Sequence, residues 1–276
     1  MLKAANTTHS HHSSSLQPWI VCLVSALFFF YEFVQMNMFN AVNSHLMISF
    51  GVDAAKLGSL SSAYFIANIL LMFPAGILLD RFSTRKLIVT AMLICIAGTL
   101  AFSFVSSLSA AIVCRFLTGI GGSFPFLCCL RLASRWFQPK RMALITGLMV
   151  TMAMLGGMAA QTPLTFLVEY TSWREALRYD ALLGLFFLAL ILWHVQDFPR
   201  TSNRQEPRLT TFDFKTILQT SLSIIKNRSN WLISFYVSFL NLPLMLLGGL
   251  WGSLYLSQCR GFTPIQSSYA TSMIFF

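Results

Sequence analysis

Two residues of opposite charge stand deep inside apolar runs: Glu32 within 19–42 and Arg115 within 109–130. A charged side chain at the centre of a membrane helix costs about 2.5–3.5 kcal/mol on insertion scales, so it faces a cavity or a partner. Taken as helices with the N-terminus on the inner side, Glu32 is about 20 Å from the inner end of its run. Arg115 is about 9 Å from the outer end of its own. Across a hydrocarbon core of ~30 Å these are similar depths. The pair is read as the one acid and the one base within spans, and is expected to form an ion pair. That pair would break when a proton or a charged solute binds. The competing reading is a buried pair that only holds two helices together. Gln35, Met36 and Phe39 share the face of Glu32 by three- and four-residue spacing, so Gln35 joins Glu32 and Arg115 as a candidate solute or coupling residue.

Other polar residues at depth are Asn68, Gln161 and Asn241, with Tyr31 and Tyr236 as amphipathic neighbours. Asn241-Leu-Pro243 is the most suggestive, because proline frees a carbonyl near mid-span and interrupted helices favour solute sites. Asn241 and Tyr236 complete the candidate set. Arg115, Thr118, Gly119 and Gly122 share one helical face, where glycines permit close backbone approach. A denser charged group occurs in Gly76-Ile-Leu-Leu-Asp80-Arg81-Phe-Ser83-Thr-Arg85-Lys86.

The elements that must hold these residues are long and apolar. The chain of 276 residues is 56% hydrophobic and 10% charged, far below the ~25% charged residues of soluble domains. Apolar runs at 19–42, 57–79, 87–106, 109–130, 142–166, 177–196 and 230–256 are each of a length to cross a bilayer as a helix. The fold class is therefore all-α, a polytopic membrane bundle. An eighth run starts at Thr263-Pro264, a good helix start, and reaches only about 20 Å by Phe276. The net charge of +10 is distributed by topology. With an inside N-terminus the inner loops hold 14 Lys or Arg and the outer loops four, Lys56, Arg174, Arg178 and Arg260. This is the positive-inside pattern. It makes the bilayer the partner and argues against nucleic acid.

The division expected is a polar cytoplasmic tail over 1–18, a six-helix unit over 19–196, a basic cytoplasmic linker over 197–229 and an incomplete second unit over 230–276. Within the linker, Phe214, Ile217, Leu218, Leu222 and Ile225 recur at helical spacing. The histidines of the tail and the six cysteines show no metal spacing or disulfide framework.

Several stretches resemble the major facilitator superfamily. Gly76-xxx-Asp80-Arg81-x-Ser83-x-Arg85-Lys86, after the second run, is similar to its signature loop, with Ser83 where that pattern has glycine. Arg115-Phe-Leu-Thr-Gly119-Ile-Gly121-Gly122 resembles its Arg-then-glycine motif. Trp136-Phe137-x-Pro139-x-Arg141, Trp173-Arg174 and Gly249-Leu-Trp251-Gly252 also look familiar. The resemblance implies two six-helix halves alternating access around a midplane site, of which this chain carries the first and the start of the second. It also implies that Gly76, Asp80, Arg81, Arg85 and Lys86 act as a gating latch against the other half.

The functional expectation is secondary active transport of a small polar metabolite, an amino acid or organic anion, coupled to protons, in the cell membrane (the inner membrane of a bacterium). The alternative is a truncated, non-transporting remnant or one half of a split transporter that pairs with a separate C-terminal half. No nucleophile–base pair, metal set or phosphate loop suggests an enzyme or a cofactor. No repeated filter suggests a channel.

Overall fold

The computed structural model describes residues 16–198 and 223–276. The tail up to Ser15 and most of the basic linker, including the helical spacing at Phe214–Leu222, lie outside the described residues. Every described span is helical, and seven helical stretches are long and apolar enough to cross a membrane. They coincide with the seven runs read from the sequence.

The first span is α1 (Gln17–Asn37) continued by α2 (Phe39–Phe50), with a break at Met38. The second is α3 (Ala54–Arg81), started by Asp53, whose side chain accepts from the Lys56 N–H at 2.8 Å. The third is α4 (Thr84–Phe102), capped by Ser83. The fourth divides into α5 (Leu108–Gly122) and α6 (Pro125–Trp136), because Pro125 starts a new helix more readily than it continues one. The fifth and sixth are α7 (Met142–Tyr170) and α8 (Trp173–His194), the latter capped by Ser172.

The seventh span is α9 (Arg228–Pro243), a π-helical segment over Leu244–Trp251, and α10 (Gly252–Arg260). The disturbance foreseen at Pro243 is thus a change of helix type beginning one residue later. α11 (Pro264–Ser272) opens with a full capping box, Thr263 and Gln266 each bonding the other's backbone. The helix start read at Thr263-Pro264 is where the structure has it.

α1 packs chiefly on α7, α4 on α5 and α8, and α3 on α5. Their apolar faces form two cores. One gathers around α1 and includes Val21, Phe28, Leu79, Ile88, Cys95, Leu132, Ile145 and Ile191. The other gathers around α2 and includes Phe39, Leu46, Leu57, Leu60, Phe102, Leu164 and Leu177. Each of several helices passes from one core to the other and carries a polar side chain near the crossing. On α1 the α1 core ends at Tyr31 and the α2 core begins at Met38, with Glu32 and Gln35 between them. On α4, Thr99 falls between Ile96 and Phe102; on α8, Asp180 falls between Leu177 and Ala181. The bundle is therefore two apolar blocks separated by a thin polar layer.

Candidate solute and proton site in the polar layer

Glu32, Arg115 and Asp180 are 5%, 1% and 6% exposed, which puts three ionisable groups in the membrane-spanning interior. The sequence reading allowed one acid there. Asp180 is the correction: it stands seven residues into α8 from Trp173, as Arg115 stands seven residues into α5 from Leu108. Its helix starts at Ser172, so Asp180 is about 10 Å inside the helix end and not at its rim.

The expected ion pair between Glu32 and Arg115 is also corrected. Neither charge meets the other directly; Tyr64 of α3 lies between them. Its hydroxyl donates to Glu32 Oε1 at 2.9 Å, and the Arg115 guanidinium carbon sits 4.7 Å from its ring centroid. Space for that ring comes from α5. A side chain at Gly119 would collide with the Tyr64 carbonyl, and one at Gly122 with the Tyr64 hydroxyl. The glycines that follow Arg115 therefore seat the residue that separates Arg115 from Glu32.

Gln35 is the second junction of the layer. Its side-chain amide donates to Asp180 Oδ2, its side-chain oxygen accepts from Thr99 Oγ1 at 2.8 Å, and its main-chain oxygen accepts from Arg115 at 3.1 Å. One residue of α1 thus touches α4, α5 and α8. That bond to Gln35 is the one hydrogen bond the Arg115 guanidinium makes among the described residues, and its Nε has no partner. The Tyr31 hydroxyl is likewise buried without one. A guanidinium carries five N–H donors in a planar fork suited to carboxylate, phosphate or another oxyanion. Here it is buried, with the Tyr64 ring and Asp180 acting on its charge and most of its N–H donors without a hydrogen-bond partner.

The family model of the Major Facilitator Superfamily matches residues 23–276. The chain belongs to the Major Facilitator Superfamily. It is 28% identical over 155 residues to the nitrate/nitrite transporter NrtP of Nostoc punctiforme, a match covering 52% of this chain and 31% of that protein. It is 23% identical over 257 residues to the probable sulfoacetate transporter SauU of Cupriavidus necator, covering 91% and 60%. In fold it is similar to an inward-facing bacterial homologue of the human lysosomal transporter Spinster, with a TM-score of 0.73 at 15% identity, over 95% of this chain and 60% of that one. The chain spans less than two thirds of the length of these relatives.

The superfamily loop between α3 and α4 is built into the end of the bundle. Ser83 has φ −56° and ψ 128°, a conformation open to any residue, so no glycine is needed there; its hydroxyl caps α4 and donates to Asp197. The Arg85 N–H also donates to Asp197, at 2.9 Å, and its guanidinium to the Leu192 carbonyl at 2.5 Å. Arg135 reaches Asp197 at 3.6 Å and Thr84 at 3.0 Å. Asp80 is paired with Arg131 of α6 at 3.3 Å, while Lys86 is exposed and Gly76 partly buried.

Asn241 and Tyr236 are not brought to the polar layer. Both are exposed on α9, which buries no residue, and the Asn241 amide bonds Val237 of its own helix at 2.9 Å. The seventh span instead meets the bundle through its π segment. Asn40 donates to the Leu247 and Gly248 carbonyls at 2.9 and 2.6 Å, and Gln161 to the Gly248 carbonyl at 2.5 Å.

Proposed function

We propose that this chain carries the ion-binding half of a proton-coupled secondary transporter for a small anionic metabolite, working by alternating access. The observation that carries this reading is Arg115: a buried guanidinium with a single hydrogen bond, facing a layer that also holds two carboxyls. Removing charges from water costs several kcal/mol per ion unless they are matched, and an incoming anion matches this one. The relatives' names, nitrate/nitrite and sulfoacetate, are both anions and support the same class; an amino acid presents the same carboxylate. Glu32 is the proton carrier, since it is buried beside Arg115 without being its direct ion-pair partner. Gln35 orients both the guanidinium and Asp180.

The proposal places the N-terminus and the α3–α4 loop in the cytoplasm of a multi-pass cell-membrane protein, as the basic loops favour. The exposed face of α9 favours a transport unit in which further helices cover it. In that unit Asn241 and Tyr236 face the cavity opposite Arg115. Gly76, Asp80, Arg81, Arg85 and Lys86 form the latch between halves, with the 197–229 linker joining them.

The test is counterflow of labelled nitrate and labelled sulfoacetate in proteoliposomes holding the full chain. Counterflow of either anion that is abolished by Arg115→Ala supports the reading. Counterflow that survives Arg115→Ala removes Arg115 from the mechanism, and no counterflow of either anion by the unaltered chain removes the anion assignment.

A further inference from the structure

Tyr64 touches both the proposed proton carrier and the proposed anion-binding group, the first through its hydroxyl and the second through the face of its ring. It is fully buried, with Gly119 and Gly122 of α5 making room for its carbonyl and its hydroxyl. The titratable or charged groups around Glu32 are Tyr31 on its own helix, Tyr64 on α3, Cys95 on α4, Arg115 on α5 and Asp180 on α8. α7 presents Gly156 to this stretch of α1, against the Phe30 carbonyl.

A phenol hydroxyl has one proton to donate. Given to a carboxylate it makes a charge-assisted bond, about twice as strong as one to a neutral acid. While Glu32 is ionised, the hydroxyl is held there and the ring is held over Arg115, where the guanidinium is attracted to the aromatic face. A proton on Glu32 removes the charge assistance. The hydroxyl is held less firmly, the ring loosens, and the guanidinium can turn its unused N–H groups to a ligand. The carboxylate that would repel an anion is neutralised in the same event.

We infer that Tyr64 is the positioning residue that couples proton binding at Glu32 to anion binding at Arg115, an inference that rests on the functional reading above. The sign follows from the contacts: proton and anion favour one another, and linkage makes the effect reciprocal. Proton and anion then load together and cross together, which is symport.

The experiment is an infrared titration of the Glu32 carboxyl band in the full chain in lipid nanodiscs, the band being assigned by its loss in Glu32→Gln. Tyr64→Phe keeps the ring and its packing and removes only the hydroxyl. Arg115→Lys keeps the buried positive charge but lacks the planar guanidinium face, and it avoids the folding risk of deleting the charge. Arg115→Lys is expected to move the Glu32 midpoint by about half a pH unit, roughly threefold in proton affinity, when Tyr64 is present. In the Y64F background the same change is expected to leave the midpoint in place. Equal shifts in the two backgrounds, zero included, overturn the inference. The titration needs no solute: failure of nitrate and sulfoacetate counterflow sinks the anion reading and leaves only the link of Glu32 to Arg115 through Tyr64, whereas equal shifts sink that link whatever counterflow shows.

Discussion

The polar layer between the two apolar cores and the cluster at the α3–α4 loop both tie together helices far apart in sequence, and they differ in what is left over. In the loop cluster Ser83, Arg85 and Arg135 converge on Asp197, and Trp136 donates to the Gln196 carbonyl at 3.0 Å. Its acceptors are matched and water is close at hand. In the polar layer water is excluded, yet the Arg115 Nε and the Tyr31 hydroxyl have no partner. An unmet buried donor costs about 1–3 kcal/mol, so a layer built only for rigidity would not leave the Arg115 Nε unmet. The first arrangement fastens the bundle; the second leaves room for a ligand to complete it.

The comparison breaks most directly at Arg115. Arg115→Ala is expected to weaken binding of nitrate or sulfoacetate by about a hundredfold, equivalent to roughly 3 kcal/mol, as read by equilibrium dialysis on the purified chain. An effect under threefold would make the polar layer another fastening. Gly119→Leu comes next. It forces a side chain into the Tyr64 carbonyl and is expected to cost about 3 kcal/mol, at the upper end for overpacking, as a lower midpoint in thermal unfolding in detergent. Glu32→Gln is expected to remove the response of uptake to a pH gradient, a change of about tenfold within the usual range of coupling between sites, while leaving exchange without a gradient intact. The smallest effect belongs to the other region. Asp197→Asn is expected to cost about 1 kcal/mol of stability and to leave anion affinity within about twofold. A larger loss of affinity there would erase the distinction between fastening and site.

Much of this was legible in the residues because hydrocarbon demands it. Runs of about twenty apolar residues mark the spans, Thr263 marks a helix start, and Glu32 and Arg115 stand out as charges where charge is costly. Asp180 carries the same signal but follows Arg174, Glu175 and Arg178, so it reads as the last of a rim cluster until the helix start at Ser172 fixes its depth. Tyr64 and Thr99 gave no warning, since a tyrosine or threonine in a membrane helix is unremarkable in type. Their roles come from which helices α3 and α4 lie against. The direct Glu32–Arg115 pairing failed for that reason: depth along two helices says that residues share a level, and says nothing of a ring standing between them. Asn241 was read correctly as near an interruption, but the side chains that meet the altered backbone come from Asn40 and Gln161, far away in the chain.

Those two amides bear on how the protein is made. Backbone carbonyls turned out of a regular helix are costly in lipid, several kcal/mol for each left unmet. At Leu247 and Gly248 the acceptors are met by side chains from the first and fifth spans. The π-helical form of the seventh span therefore rests on the assembled bundle as well as on Pro243 in its own sequence. As it enters the bilayer during synthesis these carbonyls lack their side-chain donors, and the segment settles into its final form on a surface that the earlier spans have built. Biogenesis thus has a built-in order, with Asn40 and Gln161 as the template on which a later helix is moulded.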